Sequence, residues 1–124
     1  MTATDEAGGP LILVQSAPYL GSLARSSVDL ALAFAVFSQS PVLLFSGDAV
    51  LCLRAEQHAE AVGRKSLRKT IDSLPLYDIE RVYVDESSLE QHGLSSDGFP
   101  AFAVCVNSAQ VRALINEASH VISL

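Results

Sequence analysis

Hydrophobic positions in this chain come as short unbroken runs separated by polar, turn-forming stretches. The first run, Leu11-Ile12-Leu13-Val14, passes into Gln15-Ser16 and predicts a strand over Leu11–Ser16. Pro18 and Gly21 interrupt regular structure, and Ser22 is placed to cap a helix from Leu23 to Phe37. The next run, Pro41 to Phe45, holds a second strand, Val42–Phe45, that stops at Ser46-Gly47-Asp48. Strand, helix and strand in this length read as a right-handed βαβ unit. Runs that are apolar throughout, instead of alternating, predict parallel strands covered on both faces.

The same reading continues along the chain. Asp48 is expected to cap a short helix holding Ala49–Leu53, and Arg54–Lys65, with Glu56, His58, Glu60, Gly63 and Arg64, reads as a polar surface connection. Leu67, Ile71 and Leu74 have helical spacing, so a helix is expected over Ser66–Leu74, stopped by Pro75. Arg81–Val84 is the third strand. Asp85–His92 is a short helix with acidic residues at its start, ended by Gly93. Phe102–Val106 is the fourth strand, and Ser108 is expected to cap a last helix through Glu117 with Val111, Leu114 and Ile115 as its buried stripe. His120–Leu124 is the fifth strand. The expected fold class is therefore α/β: one domain over residues 1–124, three α/β/α layers, and a mostly parallel five-stranded sheet of flavodoxin-like type. Residues 1–10 read as a mobile tail.

Leu30 to Phe37 is apolar all the way round, whereas a helix lying on a sheet needs only one apolar stripe. Either another subunit covers the outer side, or small alanines simply sit at the surface. Leu30, Phe34 and Phe37, with Tyr77, are the candidate interface residues, although some of them must face the sheet.

Composition narrows the function. The net charge of −6 excludes wholesale nucleic-acid binding, so no direct nucleic-acid contact is expected. No stretch is apolar over the roughly 18–20 residues needed to cross a bilayer, and the start carries no signal-peptide pattern. Two cysteines are too few for a disulfide framework. A cytoplasmic, reduced, soluble protein is expected, with no membrane contact and no cofactor or metal.

In parallel sheets ligands sit beyond the carboxyl ends of the strands. Those ends present Ser16–Tyr19, Ser46–Asp48, Asp85-Glu86 and Asn107-Ser108. The rim holds no paired nucleophile and base, no glycine-rich phosphate loop and no metal-ligand spacing. Asp85 and Glu86 read either as an acid/base pair or as the solvated first turn of a helix. Cys105, between Val104 and Val106, is expected to be buried and inert. Cys52 reads as a core or interface residue, or as a reactive thiol if a helix amino terminus and Arg54 lower its pKa. His58, His92 and His120 are scattered. Arg64, Lys65, Arg68 and Lys69 form either a solvated helix face or a basic patch for an acidic partner or RNA.

Ser16-Ala17-Pro18-Tyr19, Phe45-Ser46-Gly47-Asp48-Ala49-Val50 and, above all, Leu76-Tyr77-Asp78-Ile79-Glu80 with Val84 to Leu94 resemble the DsrE/DsrF superfamily. Within it the chain is most similar to the TusC/DsrF branch, over nearly all of Leu11–Leu124. The resemblance implies a heterohexamer with TusB/DsrH-like and TusD/DsrE-like subunits, working with TusA-like and TusE/DsrC-like proteins. Its implied task is passing persulfide sulfur toward 2-thiolation of the tRNA wobble uridine or, in the DsrEFH counterpart, sulfur oxidation. The sulfur-carrying cysteine of the DsrE/TusD-type subunit lies at the end of the third strand. Here Val84 and Asp85 occupy that position, and neither is a thiol. Tyr19 stands where many relatives have His, and Pro75 where Gly is common. The expectation is a non-catalytic structural subunit. The alternatives are a thiol sulfur carrier using Cys52, and a small-molecule module using the rim from Ser16 to Asp48.

Overall fold

A computed structural model describes residues 9–17, 22–37, 40–54 and 67–124. Five short strands form one parallel sheet: β1 (Leu11–Val14), β2 (Val42–Phe45), β3 (Val82–Asp85), β4 (Ala103–Val106) and β5 (Val121–Ser123). Four α-helices accompany them among the described residues: α1 (Leu23–Val36), α2 (Leu67–Asp72), α3 (Glu86–His92) and α4 (Ser108–Glu117). Two 3₁₀ segments, Gly47–Leu53 and Leu74–Tyr77, complete the order.

The strand order is β4-β3-β2-β1-β5. The expected three-layer parallel architecture is present, but the order is not the 2-1-3-4-5 of flavodoxin itself. From β1 to β4 the chain steps in one direction, and crossovers of one hand then lie on one face. The packing agrees. Ile12, Val14, Leu43, Phe45, Val82 and Val84 share one core with α1, α2, α3 and both 3₁₀ segments. Among the described residues, only the return from β4 to β5 crosses the other face. There Leu11, Leu44 and Val106 meet Val111, Leu114 and Ala118.

This lopsided cover corrects two expectations. Helix α4 buries none of its residues fully: Val111 and Leu114 are half-buried, and Ile115, on the shoulder of the stripe, is exposed. One helix spread over a whole sheet face shields its own side chains poorly. Cys105, expected to be buried, is exposed, because β4 is an edge strand with a neighbour on one side only.

Local chemistry sets the element ends. Asn107, not Ser108, caps α4: its side chain accepts from the Gln110 amide at 2.9 Å, and the Gln110 side chain accepts from the Asn107 amide at 2.8 Å. This reciprocal capping box satisfies two helix-end donors. The Gly47–Leu53 segment is preceded by Ser46, with Asp48 in its first turn instead of at the cap. Ser22 holds the cap position of α1, but its side chain makes no capping bond. Pro75 does not simply end a helix; it sits in the first turn of the second 3₁₀ segment, where its missing N–H costs nothing. Gly93 ends α3 in the left-handed region, at φ 64°, as expected. Pro18, Tyr19, Gly21 and the connection from Ala55 to Ser66, with Glu56, His58, Glu60, Gly63, Arg64 and Lys65, lie outside the described residues.

Candidate functional site

The carboxyl ends of β1, β2 and β3 bring Ser16, Ser46–Asp48 and Asp85 to one end of the sheet. Asp85 is the last residue of β3 and the N-cap of α3. Its Oδ1 accepts from the Ser87 amide (3.3 Å) and hydroxyl (3.1 Å), while its Oδ2 accepts from the hydroxyls of Ser46 (3.2 Å) and Ser88 (3.0 Å). Ser88 is itself buried, and its hydroxyl accepts from the Gly47 amide at 2.8 Å. One carboxylate therefore ties the end of β2, the start of the following 3₁₀ segment and the first turn of α3 together. Among the described residues, its donors are Ser46, Ser87 and Ser88, all within the fold. Glu86 is exposed in the first turn of α3, the less reactive of the two roles considered for it. A second tie lies at the surface, where His92 Nε2 is 3.1 Å from Asp48 Oδ1.

Val84, the other residue at the end of the third strand, is fully buried and pairs with Phe45 and Cys105 on the flanking strands. Cys105 is thus the thiol next to this position, exposed on the neighbouring edge strand; the thiol singled out from the sequence is Cys52. It lies in the later half of the Gly47–Leu53 segment, not at a helix amino terminus, and faces the core with its Sγ 4.0 Å from the Ser16 carbonyl. Burial pushes its pKa from the ordinary 9.0 up to about 12, so the thiol holds its proton at neutral pH. The lowered pKa that a nucleophilic Cys52 requires is absent.

Among the described residues, no group of three or more His, Cys, Asp and Glu side chains could hold a metal ion. Of the basic cluster, Arg68 works within the fold: it donates to Asp72 Oδ1 (2.9 Å) and to the carbonyls of Leu53 (3.0 Å) and Gly98 (2.7 Å). That clamp joins α2 to the end of the Gly47–Leu53 segment and to the loop at Gly98, as a structural arginine does. Lys69 is exposed on α2, and Arg64 and Lys65 lie outside the described residues.

The four candidate interface residues separate into two pairs. Leu30 and Phe34 are half-buried and pack on the main core, whereas Phe37 is 76% and Tyr77 45% exposed. Val36 and Leu76, beside them in sequence, are 68% and 83% exposed. Helix α1 packs against the Leu74–Tyr77 segment, so these four side chains belong to neighbouring elements. The roles of Ser46 and Ser88 escape sequence reading. The signal available for Ser88 is its spacing of three from Asp85, the reach of an N-cap into the first turn.

A family model described as DsrE/DsrF-like matches residues 10–124. The chain belongs to the DsrE/DsrF-like family. It is 32% identical over 111 residues to a TusC homolog of Vibrio vulnificus, covering 90% of this chain and 94% of that protein. A TusC homolog of Pseudomonas aeruginosa is 28% identical, with 92% and 96% covered. The intracellular sulfur oxidation protein DsrF of Allochromatium vinosum is 31% identical, with 91% and 93% covered. These relatives fit the TusC/DsrF branch of a sulfur-relay subunit family. The fold matches the crystal structure of the ychN protein from E. coli with a TM-score of 0.82, covering 94% of this chain and 99% of that one at 17% identity. Among the described residues no helix is long and apolar enough to cross a membrane.

Proposed function

We propose that this chain is a non-catalytic subunit of a cytoplasmic heterohexamer in which TusB-like and TusD-like chains complete the assembly. The complex passes persulfide sulfur, received from a TusA-like donor and handed to a TusE-like acceptor, toward 2-thiolation of the tRNA wobble uridine. The observation that carries this reading is Asp85: where the sulfur-carrying subunit needs a thiol, this chain has a carboxylate already committed to Ser46, Ser87 and Ser88. A carboxylate cannot hold a persulfide, and the buried, protonated Cys52 is no substitute. The exposed Val36, Phe37, Leu76 and Tyr77 supply apolar surface for a partner.

A second reading, a DsrF-type subunit of a DsrEFH-like complex in sulfur oxidation, draws on the similarity to DsrF of Allochromatium vinosum. Native mass spectrometry of the tagged chain purified from its own host tests the common part. Two further DsrE/DsrF-like chains in equal copy number are expected, and a lone monomer would overturn the subunit reading. Loss of 2-thiouridine from tRNA on deletion supports the first pathway; intact thiouridine with impaired sulfur oxidation supports the second.

A further inference from the structure

A cavity of about 480 Å³ opens at the amino ends of β2 and β3, the opposite end of the sheet from Asp85. Tyr77 and Tyr83 line it together with Asp78, Glu80 and Arg81, and Ala35 of α1 contributes to its apolar side. We propose that this cavity receives the guanidinium group of an arginine carried by a partner polypeptide.

Three observations carry the inference. First, the walls are built. The Asp78 amide donates to the Pro75 carbonyl at 3.1 Å and the Ile79 amide to the Leu74 carbonyl at 3.2 Å, while Leu74 and Ile79 are both anchored in the core. Asp78 itself takes the left-handed conformation, φ 68°, which Asp adopts more readily than most side chains and which turns the loop around the cavity. Second, the lining chemistry suits a planar cation. Tyr77 and Tyr83 supply aromatic lining, Tyr83 being also packed against the Leu11, Leu44 and Val106 cluster, and two exposed carboxylates outnumber the one arginine. A guanidinium stacks on aromatic faces and bonds carboxylates through paired N–H groups, which a compact ammonium does less well. Third, the surroundings suit a polypeptide better than a free amino acid. Ala35 is followed in sequence by the exposed Val36 and Phe37, and Tyr77 is preceded by the exposed Leu76, so apolar surface adjoins a polar cavity. Apolar residues flanking an arginine would cover it. The inference does not depend on the sulfur-relay reading, since any arginine-bearing partner would fit.

The test is an NMR titration of the full chain with a blocked Leu-Arg-Leu peptide, its citrulline counterpart and free L-arginine. Citrulline keeps the shape and removes the charge. The arginine peptide is expected to shift the amides of Tyr77–Tyr83 saturably, and the citrulline peptide to bind at least about tenfold more weakly. The double variant Asp78→Asn, Glu80→Gln is expected to weaken the arginine peptide by a similar factor of about ten while the chain stays folded, because Asn also tolerates positive φ. Equal binding of the citrulline peptide, unchanged binding by the double variant, or no saturable shift at these residues would overturn the proposal. Free L-arginine binding more tightly than the blocked peptide would also overturn it, by assigning the cavity to the free amino acid. The Arg81→Gln variant removes a competing cation and is expected to bind the peptide at least as tightly; weaker binding would contradict the assigned role of the carboxylates.

Discussion

Replacing Ser88 with Ala tests whether the Asp85 network holds the carboxyl end of the sheet together. The substitution removes one oxygen from a buried position and breaks two bonds, to Asp85 Oδ2 at 3.0 Å and from the Gly47 amide at 2.8 Å. The two losses are unequal. Asp85 Oδ2 still receives the Ser46 hydroxyl, but the hydroxyl that accepts from the Gly47 amide is gone, and Gly47 is half-buried. An orphaned donor of this kind costs about 1–3 kcal/mol. A chain of this length loses roughly 4 °C of Tm per kcal/mol, so a fall of about 4–12 °C is expected in calorimetry or thermal circular dichroism. Ser87→Ala is the internal control. Its hydroxyl contacts the same carboxylate, at 3.1 Å, but Ser87 is exposed, so a change within about 0.5 kcal/mol is expected. A double-mutant cycle of Ser88→Ala with Asp85→Ala should return a coupling of about 0.5–1.5 kcal/mol, as neighbours in one network do. If Ser88→Ala costs no more than Ser87→Ala, the network does not tie β2 to α3 and the reasoning fails.

Four further outcomes follow from the geometry. Titration with a thiol reagent at neutral pH should find the exposed Cys105 reactive and Cys52 unreactive until denaturant is added; fast reaction of both would contradict the burial of Cys52. The Cys52 pKa is raised on folding, so its contribution is fully present below pH 9 and is lost toward pH 12, at about 1.4 kcal/mol per pH unit at most. A Cys52→Ala variant, though less stable overall, should show a flatter decline in that window. Gly47→Ala should destabilise by about 1 kcal/mol through backbone conformation alone, because φ is +60° while a Cβ there would lie an ordinary 3.7 Å from the Gln15 carbonyl; denaturant melts measure it, and a cost near zero would refute it. Phe37→Glu should leave the melting of the isolated chain nearly unchanged yet reduce recovery of partner chains in pull-downs, since the ring is 76% exposed; undiminished recovery would remove Phe37 from the interface.

Much of the fold is legible in the chain itself. Leu11–Val14 and Val42–Phe45 are unbroken apolar runs, which only a strand covered on both sides tolerates, and Gly93 marks a helix end through its freedom at positive φ. The absence of a thiol at the end of β3 is equally plain in Val84-Asp85. What periodicity cannot reveal is position across the sheet. Cys105 lies in as apolar a run as Leu43, yet it is exposed, because β4 became an edge and β2 the centre. Likewise Val111, Leu114 and Ile115 have the spacing of a buried stripe, but strand order left α4 to cover a face alone. The contacts of Asp85 with Ser46, and the cavity that Ala35, Pro41 and Val42 share with Tyr77–Tyr83, join residues distant in sequence. Apolar patterning fixes which side chains leave water, a property of each segment. Which polar groups then meet depends on the order in which the strands pair, and only the tertiary structure decides that.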